Sequence, residues 1–307
     1  MADTKCTVLC IGLGAMGWGI AGNLAMRQSD MDSHVIVWNR TQSIAHQHAV
    51  AYQTQVAETL NVAANVHVII TCLPTSKEVN EVVHEIAAYL RHGALWIDCT
   101  SGDPKATQGI CAFLSERGVD FVDSPVSGGP QGALSGELTA MVGGSAFKRA
   151  EPFIACFARK KIVHCGATGS GHAVKAMNNC LNAAHLIVAG EGLLALSEFG
   201  VDPAVALHAI NASSGRSLQT EVRVPTEVLT RKFAYGFKLG LMLKDVNTAI
   251  VGVGVPSTDL SLLSLTQNVL QASINEHGAD ADYTTVIQTL ERRAGRELLS
   301  SNETYHQ

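Results

Sequence analysis

The stretch VLCIGLGAMGWGI, residues 8–20, decides the fold, because it joins a short apolar run to a glycine-rich turn and the start of a helical pattern. Its glycines, Gly12, Gly14 and Gly17, follow the spacing GxGxxG. In such a loop the first glycine permits a tight turn, the second lets a pyrophosphate approach the backbone, and the third allows close helix–strand packing. The following helix N-terminus offers N–H donors to an anion. The predicted dinucleotide-binding loop comprises Gly12, Leu13, Gly14, Ala15, Met16 and Gly17.

Working outward, short apolar runs alternate with amphipathic segments through the first half of the chain. Such alternation predicts a mainly parallel sheet covered by helices on both faces. The candidate strands are Thr7–Ile11, His34–Trp38, Val66–Cys72, Ala94–Asp98, Asp120–Asp123, Leu138–Val142 and Lys161–His164.

The pattern changes after the turn-rich segment GATGSG at residues 166–171. Apolar residues then recur at helical spacing from about Ser170 to Phe199, with Gly200 as a C-terminal cap. The remaining helical patterns are Pro203–Asn211, Thr226–Lys232, Lys238–Val253, Thr258–His277 and Tyr283–Ala294. We therefore expect an α/β Rossmann-type N-terminal domain over residues 1–165 and an all-α domain over residues 166–307, joined by a long interdomain helix.

Composition excludes several functional classes. The chain has 307 residues, 47% of them hydrophobic, with a net charge of −5, which gives no electrostatic reason to expect nucleic acid. Its eight cysteines form no CxxC pair and are typical of reduced core thiols, so we expect no metal site. No signal-peptide pattern and no continuous apolar run of about 18 residues is present, which predicts a cytoplasmic protein without a membrane partner.

The second predicted strand ends in VIVWNRT, residues 35–41. Asn39 lies 22 residues beyond Gly17, where NAD-binding proteins tend to place an acid on the ribose 2′-hydroxyl. Asn39 cannot repel a 2′-phosphate, and Arg40 can pair with one. Asn39, Arg40 and Thr41 therefore favour NADP, with NAD as the alternative.

Two later strand ends point to the same edge of the sheet, where ligands bind in parallel α/β folds. The segment ITCLPTS (70–76) places Leu73 and Pro74 there, as residues that line the cofactor. The segment WIDCTSG (96–102) places Ser101 there as a polar contact near the nicotinamide. A further glycine loop, Ser127-Gly128-Gly129, offers a hydroxyl and backbone N–H groups that can bind a small carboxylate.

A polar stripe marks the long predicted helix. Lys175, Asn178, Asn179 and Asn182 are spaced i, i+3, i+4 and i+7, and so lie on one helix face among apolar neighbours. Asparagine opposes helix propensity, and local violations of this kind mark functional sites. We expect this face to be catalytic, with the lysine as base or proton donor.

These residues together resemble the β-hydroxyacid dehydrogenases, the family of 3-hydroxyisobutyrate dehydrogenase and tartronate semialdehyde reductase within the 6-phosphogluconate dehydrogenase superfamily. The motifs that carry the resemblance are GLGAMG (12–17), DSPVSGGPQGA (123–133), GSGHAVKAMNN (169–179), SSGRS (213–217) and LMLKDV (241–246). The tryptophan expected shortly after SSGRS is absent, which leaves the substrate open. Asn178-Asn179, in place of a His-Asn pair, argues against 6-phosphogluconate dehydrogenase itself.

The resemblance implies reversible oxidation of a small β-hydroxyacid to its semialdehyde or keto acid, in a homodimer or homotetramer. It matches the catalytic lysine to Lys175 and the substrate-orienting asparagine to Asn179, with Asn178 beside it. It also matches a second lysine, near the nicotinamide, to Lys244, and the carboxylate-binding loop to Ser127, Gly128 and Gly129. Two alternatives stay open: an NADPH-dependent imine reductase, which generally lacks the helix lysine, and a non-catalytic NADP-binding relative.

Overall fold

The computed structural model describes residues 5–254 and 261–300. The chain divides into two compact units, Met1–Lys175 and Ala176–Gln307. The first is an α/β unit and the second is helical, so the predicted fold class is confirmed. The division lies inside one long helix, ten residues beyond the predicted limit at residue 165, and that limit stays a prediction.

The first unit is built on a sheet of nine strands. Their order is β3-β2-β1-β4-β5-β6-β8-β7, with β9 paired to β8. The pairs from β3 to β6 are parallel, whereas β8 runs antiparallel to β6 and β7. The strands are β1 Cys6–Ile11, β2 Ser33–Trp38, β3 Gln55–Val56, β4 Val68–Thr71, β5 Leu95–Asp98, β6 Asp120–Asp123, β7 Val126–Ser127, β8 Thr139–Gly143 and β9 Lys161–Gly166.

Helices cover both faces of this sheet. Alternate residues of the central strands enter two separate apolar cores, as Val8 and Leu9 of β1 illustrate. Burial on both faces explains why these strands read as continuous apolar runs. A 3₁₀ segment, Leu60–Asn65, lies between β3 and β4. The helices are α1 Gly17–Met26, α2 Gln42–Tyr52, α3 Ser76–Ile86, α4 Pro104–Ser115, α5 Gly129–Ser135 and α6 Phe147–Ile154.

The second unit is helical around its own apolar core. Its first helix, α7 Ser170–Glu198, begins in the first unit and ends before Gly200, whose φ of +95° suits a glycine. Two π-helical segments, Gln219–Val228 and Thr248–Gly252, and a 3₁₀ turn, Tyr283–Thr285, interrupt the α-helices. The further helices are α8 Pro203–Asn211, α9 Leu239–Asn247, α10 Leu262–His277 and α11 Val286–Ala294.

All seven predicted strands are confirmed to within two residues at each end, while the two-residue strands β3 and β7 escaped prediction. The predicted helix Thr226–Lys232 is wrong, because the chain there forms the π-helix that ends at Val228. The predicted helix Lys238–Val253 divides into α9 and a π-helical segment. The predicted start of another helix at Thr258 lies outside the described residues.

Among the described residues, α7 is the one helix long and apolar enough to cross a membrane by length and composition alone. Its best window has a mean hydropathy of 1.4 and is 39% buried. The prediction of no membrane span rested on the absence of an uninterrupted apolar run, and polar residues do interrupt this helix. Core helices of soluble proteins meet the same criterion, so the finding is weak evidence for a membrane span.

Candidate active site

The first glycine loop, residues 12–17, joins β1 to α1. Gly12 has a φ of +95°, and a Cβ there would lie 2.4 Å from the carbonyl oxygen of Cys72. A Cβ on Gly17 would lie 2.0 Å from the carbonyl oxygen of Gly12, so both positions need glycine to close the turn. A Cβ on Gly14, by contrast, would meet no atom within 4 Å. The exposed backbone at Gly14 is therefore open to a ligand, and no side chain caps the N-terminus of α1 after Met16.

Asn39 ties the end of β2 to this loop. Its Oδ1 accepts a hydrogen bond from Leu13 N at 3.0 Å, and its Nδ2 donates to Thr41 O at 3.1 Å. The amide thus has a structural role that the sequence did not reveal. Arg40 and Thr41 are exposed, and Thr41 caps α2 without a side-chain hydrogen bond. Arg40 and the start of α2 therefore both follow the carboxyl end of β2.

The ends of β4 and β5 are held together through Asp98. Its Oδ1 accepts from Thr71 Oγ1 at 2.8 Å and from Thr100 N at 3.1 Å. Thr100 Oγ1 in turn accepts from Leu73 N at 3.1 Å. This network holds the backbone at Leu73, a predicted cofactor residue, and at Thr100, directly before the predicted Ser101.

Pro74 is exposed and Ser101 is partly exposed at these strand ends, where both can face a ligand. The loop of Ser127, Gly128 and Gly129 joins β7 to α5. Both glycines have positive φ, +140° and +69°, a conformation that side chains rarely adopt. The hydroxyl of Ser127 and the N-terminus of α5 are thereby presented at one turn.

The start of α7 is anchored by groups that the sequence did not single out. The buried carboxylate of Asp123 accepts from Gly169 N at 2.7 Å and from His172 N at 2.9 Å, so it caps the helix. The ring of His172 contacts Thr107 Oγ1 through Nδ1 at 2.7 Å and lies 3.8 Å from Asp98 through Nε2. These contacts join positions dozens of residues apart, and no local pattern announces them.

The polar stripe on α7 is mostly buried. Lys175 is 8% exposed and Asn179, one turn later, is 5% exposed. Asn179 Nδ2 donates to Asp245 Oδ2 at 2.6 Å, and its Oδ1 accepts from Asn178 at 3.2 Å. Lys244 Nζ pairs with Asp245 Oδ1 at 2.8 Å. Asp245 thus binds two predicted site residues of the second unit, Asn179 and Lys244, and its position directly after Lys244 was the available signal.

The described residues offer no metal-binding cluster, and several of their cysteines are buried. They contain no group of three or more His, Cys, Asp or Glu side chains that could hold a metal, and the eight cysteines are free. Burial raises the pKa of Cys10 and of Cys72 to about 12, and that of Cys180 to about 11. Thiols of this kind are poor nucleophiles at neutral pH.

Comparison with known proteins agrees with this geometry. Residues 7–166 match the family model of the NAD binding domain of 6-phosphogluconate dehydrogenase, and residues 169–290 match that of the NAD-binding domain of NADP-dependent 3-hydroxyisobutyrate dehydrogenase. The chain belongs to the β-hydroxyacid dehydrogenase family. It is therefore an oxidoreductase with a nicotinamide cofactor.

Individual relatives of the β-hydroxyacid dehydrogenase family match almost the full chain. The 2-(hydroxymethyl)glutarate dehydrogenase of Eubacterium barkeri is 30% identical, over 93% of this chain and 95% of its own. The structure of Mycobacterium tuberculosis 3-hydroxyisobutyrate dehydrogenase with L-serine has a TM-score of 0.84 at 28% identity and covers 94% of this chain and 99% of its own. Psf3 in complex with NADP+ and 2-OPP has a TM-score of 0.80 at 24% identity, covers 92% and 99%, and shares the fold.

Proposed function

We propose that the protein interconverts a small β-hydroxyacid and its semialdehyde or keto acid, with NADP as the preferred cofactor. One observation carries the proposal: a buried lysine, Lys175, lies one helical turn before Asn179, whose amide is fixed by Asp245. Relatives named for hydroxyacid oxidation along the whole chain support it.

The residues present fit a nicotinamide dinucleotide. The loop from Gly12 to Gly17 would hold the pyrophosphate, because its backbone is open at Gly14. Arg40, Thr41 and the N-terminus of α2 would hold a 2′-phosphate, which an acid at position 39 would repel. Leu73, Pro74, Ser101 and Lys244 would contact the remainder of the cofactor. When bound, the cofactor accepts or supplies the hydride.

The chain's own residues would bind the substrate and move its proton. Ser127 and the amides of Gly128 and Gly129 bind the carboxylate. Lys175 Nζ exchanges the proton of the substrate hydroxyl, and its low exposure keeps bulk water from competing. Asn179 orients that hydroxyl, with Asn178 bonded beside it.

The anionic partner of Asn179 fixes its orientation. Because the carboxylate of Asp245 accepts but never donates, Asn179 must direct Nδ2 towards it and Oδ1 away from it. Without that partner, the hydrogen bond from Asn178 to Oδ1 would be the remaining contact among the described residues that sets the orientation. A substrate hydroxyl therefore meets a fixed pattern of donor and acceptor, which lowers the entropic cost of reaching the reactive geometry.

We also propose that residues 166–307 form the substrate and dimerisation domain of a cytoplasmic homodimer or homotetramer. On α7 three apolar side chains at seven-residue spacing are exposed, Val174 by 43%, Leu181 by 45% and Val188 by 63%. A stripe of this kind supports burial against a further chain. Light scattering of the purified protein tests the assembly, and a monomer would contradict it.

The reaction is tested by absorbance at the nicotinamide band. The protein is offered NADPH or NADH with short semialdehydes, and NADP or NAD with β-hydroxyacids. Lys175→Ala should lower turnover by about 10²–10⁴-fold, the usual contribution of a positioned proton-transfer group, and change the Kd for NADPH by less than about twofold.

Lys77→Ala is the matched control, because Lys77 lies on the surface of α3 with its side chain 81% exposed. Its turnover should equal that of the unmodified protein. Near-normal turnover of Lys175→Ala would contradict the lysine's role. Turnover of cyclic imines in place of hydroxyacids would favour an imine reductase, and tight NADPH binding with no turnover at all would favour a non-catalytic protein.

A further inference from the structure

Asp98 and His172 face each other beneath the first turn of α7, and the proposed reaction uses neither. Their side chains are 1% and 0% exposed, and Asp98 Oδ2 lies 3.8 Å from His172 Nε2. Asp98 Oδ1 is already occupied by Thr71 and Thr100. Neither Oδ2 nor Nε2 has a hydrogen-bond partner among the described residues. Within that part of the chain, these two buried polar atoms therefore face each other alone.

The hydrogen bonds on the far side of the ring fix its tautomer. Thr107 Oγ1 lies 2.8 Å from the carbonyl oxygen of Asp103 and 2.7 Å from His172 Nδ1. A hydroxyl has one proton, and a carbonyl oxygen can only accept, so the proton of Thr107 is donated to Asp103. Thr107 must then accept from the ring, and His172 Nδ1 carries a proton.

This assignment decides the state of Nε2. In a neutral ring protonated at Nδ1, Nε2 would turn a lone pair towards the carboxylate of Asp98, and burial would leave that repulsion poorly screened. Oδ2 and Nε2 are 3.8 Å apart. A water hydrogen-bonded to both at about 2.8 Å would have an angle below about 90° at its oxygen between the two partners, which is too narrow for two good hydrogen bonds. A proton between the two atoms turns the repulsion into attraction, and we place it on Nε2 because Asp98 Oδ1 accepts two hydrogen bonds, as a carboxylate does.

We propose that His172 is held as an imidazolium by Asp98, and that this buried pair is a positioning device for Lys175. The backbone N–H of His172 is bound by Asp123 at 2.9 Å, so ring and backbone are both fixed to the sheet. A Cβ at Gly102 would lie 2.7 Å from His172 Cε1, which shows how closely the loop after β5 packs on the ring. Lys175 follows three residues later, on the same helix face.

The charge on His172 is tested by ¹⁵N NMR of the histidine rings in the full-length protein at neutral pH, with His172→Gln to assign the signal. We expect protons on both ring nitrogens. Asp98→Asn keeps an oxygen for Thr71 and Thr100 but presents an N–H to Nε2, so in this variant Nε2 should lose its proton. An unprotonated Nε2 in the unmodified protein would overturn the proposal, whatever reaction the protein catalyses.

The positioning role rests on the proposed function and is tested by a matched pair at position 107. Thr107→Val keeps the shape but removes the acceptor for Nδ1–H, whereas Thr107→Ser keeps the hydroxyl. We expect kcat to fall about 10–100-fold in the valine variant, with the KM for the cofactor within about twofold, and the serine variant to retain activity. Equal kcat in both variants would overturn the positioning role.

A readout without turnover separates this inference from the proposed function. Amide hydrogen exchange over residues 170–176 should be faster in Thr107→Val and unchanged in Thr107→Ser, because the first turn of α7 loses one of its anchors. If the protein oxidises no hydroxyacid, equal exchange rates in the two variants would still refute the role of the pair.

Discussion

Asp123 and Asp103 both cap helices, yet the structure predicts opposite responses to the same substitution. Asp103 Oδ1 alone accepts from Lys105 N and Ala106 N, both at 2.9 Å. An asparagine at 103 can present the same single oxygen. Asp123 uses one oxygen for Gly169 N and the other for His172 N. An asparagine at 123 must turn an NH₂ group towards one of these donors.

The magnitude follows from these contacts. Asp123→Asn loses one hydrogen bond to a charged acceptor, worth about 1.5–3 kcal/mol, and leaves buried donors unpaired at about 1–3 kcal/mol. Asp123 is completely buried, so water cannot replace the lost acceptor. We expect destabilisation of about 3–5 kcal/mol, or a Tm lower by about 6–20 °C at about 2–4 °C per kcal/mol. Asp103→Asn should cost less than about 0.5 kcal/mol, since both residues are good N-caps.

The assay is thermal unfolding of both variants, followed by circular dichroism with the Kd for NADPH measured in parallel. Asp123→Asn should also lower kcat, because the first turn of α7 carries Lys175. If the two variants unfold within about 1 °C of each other, the capping geometry at Asp123 is wrong. A lower Tm with unchanged kcat would mean that the cap does not position the lysine.

Three further predictions concern the cofactor, the asparagine and the thiols. Arg40→Ala should weaken NADPH binding about tenfold or more and NADH binding less than about twofold, because only NADPH has the 2′-phosphate, and titration of both cofactors checks this. Asp245→Asn should lower kcat about 10–100-fold by freeing the amide of Asn179, whereas Asp280→Asn, at an exposed carboxylate, should not. Burial raises the pKa of Cys10 from 9.0 to about 12, so the unfolded chain loses this proton first and stability falls by about 1.4 kcal/mol per pH unit between pH 9 and 12. Urea unfolding at pH 8, 9 and 10 should show a shallower loss in Cys10→Ala, and an unchanged slope would contradict the assignment.

The parallel strands could be predicted because two-sided burial leaves an uninterrupted apolar run, as in β4 and β5. The π-helix at residues 219–228 could not. Its buried positions are Gln219, Thr220, Val224 and Val228, and the four-residue spacing of the last three also suits an α-helix, so the apolar pattern does not distinguish the two helix types. Pro225 lies inside it, six residues after its start, although a proline ordinarily interrupts a helix interior.

The candidate site also has features that the sequence predicts and features that it does not. The glycine loop and the lysine stripe are local patterns, so their spacing could be read from the sequence. The groups that hold them, such as Asp98, Asp123 and Asp245, act on residues 27 to 66 positions away. A single aspartate after a strand forms no repeating pattern in the sequence, and a residue of this kind has many ordinary roles. Only the tertiary fold shows that two of these three carboxylates anchor α7 and its neighbouring strand ends, and that the third fixes an asparagine.

Catalysis explains only in part why α7 contains three asparagines. Each costs about 0.5–0.7 kcal/mol in a helix relative to alanine, and a net hydrogen bond of about 1 kcal/mol offsets that cost. Asn182 has such a partner in Gln219 at 2.8 Å, and Asn178 has one in Asn179. Their presence therefore needs no ligand. Asn179 differs, because its partner is a buried carboxylate that Lys244 also binds. A hydrogen bond to a charged group is stronger than is needed to offset the helix cost, so Asn179 together with Lys175, and not the number of asparagines, indicates function.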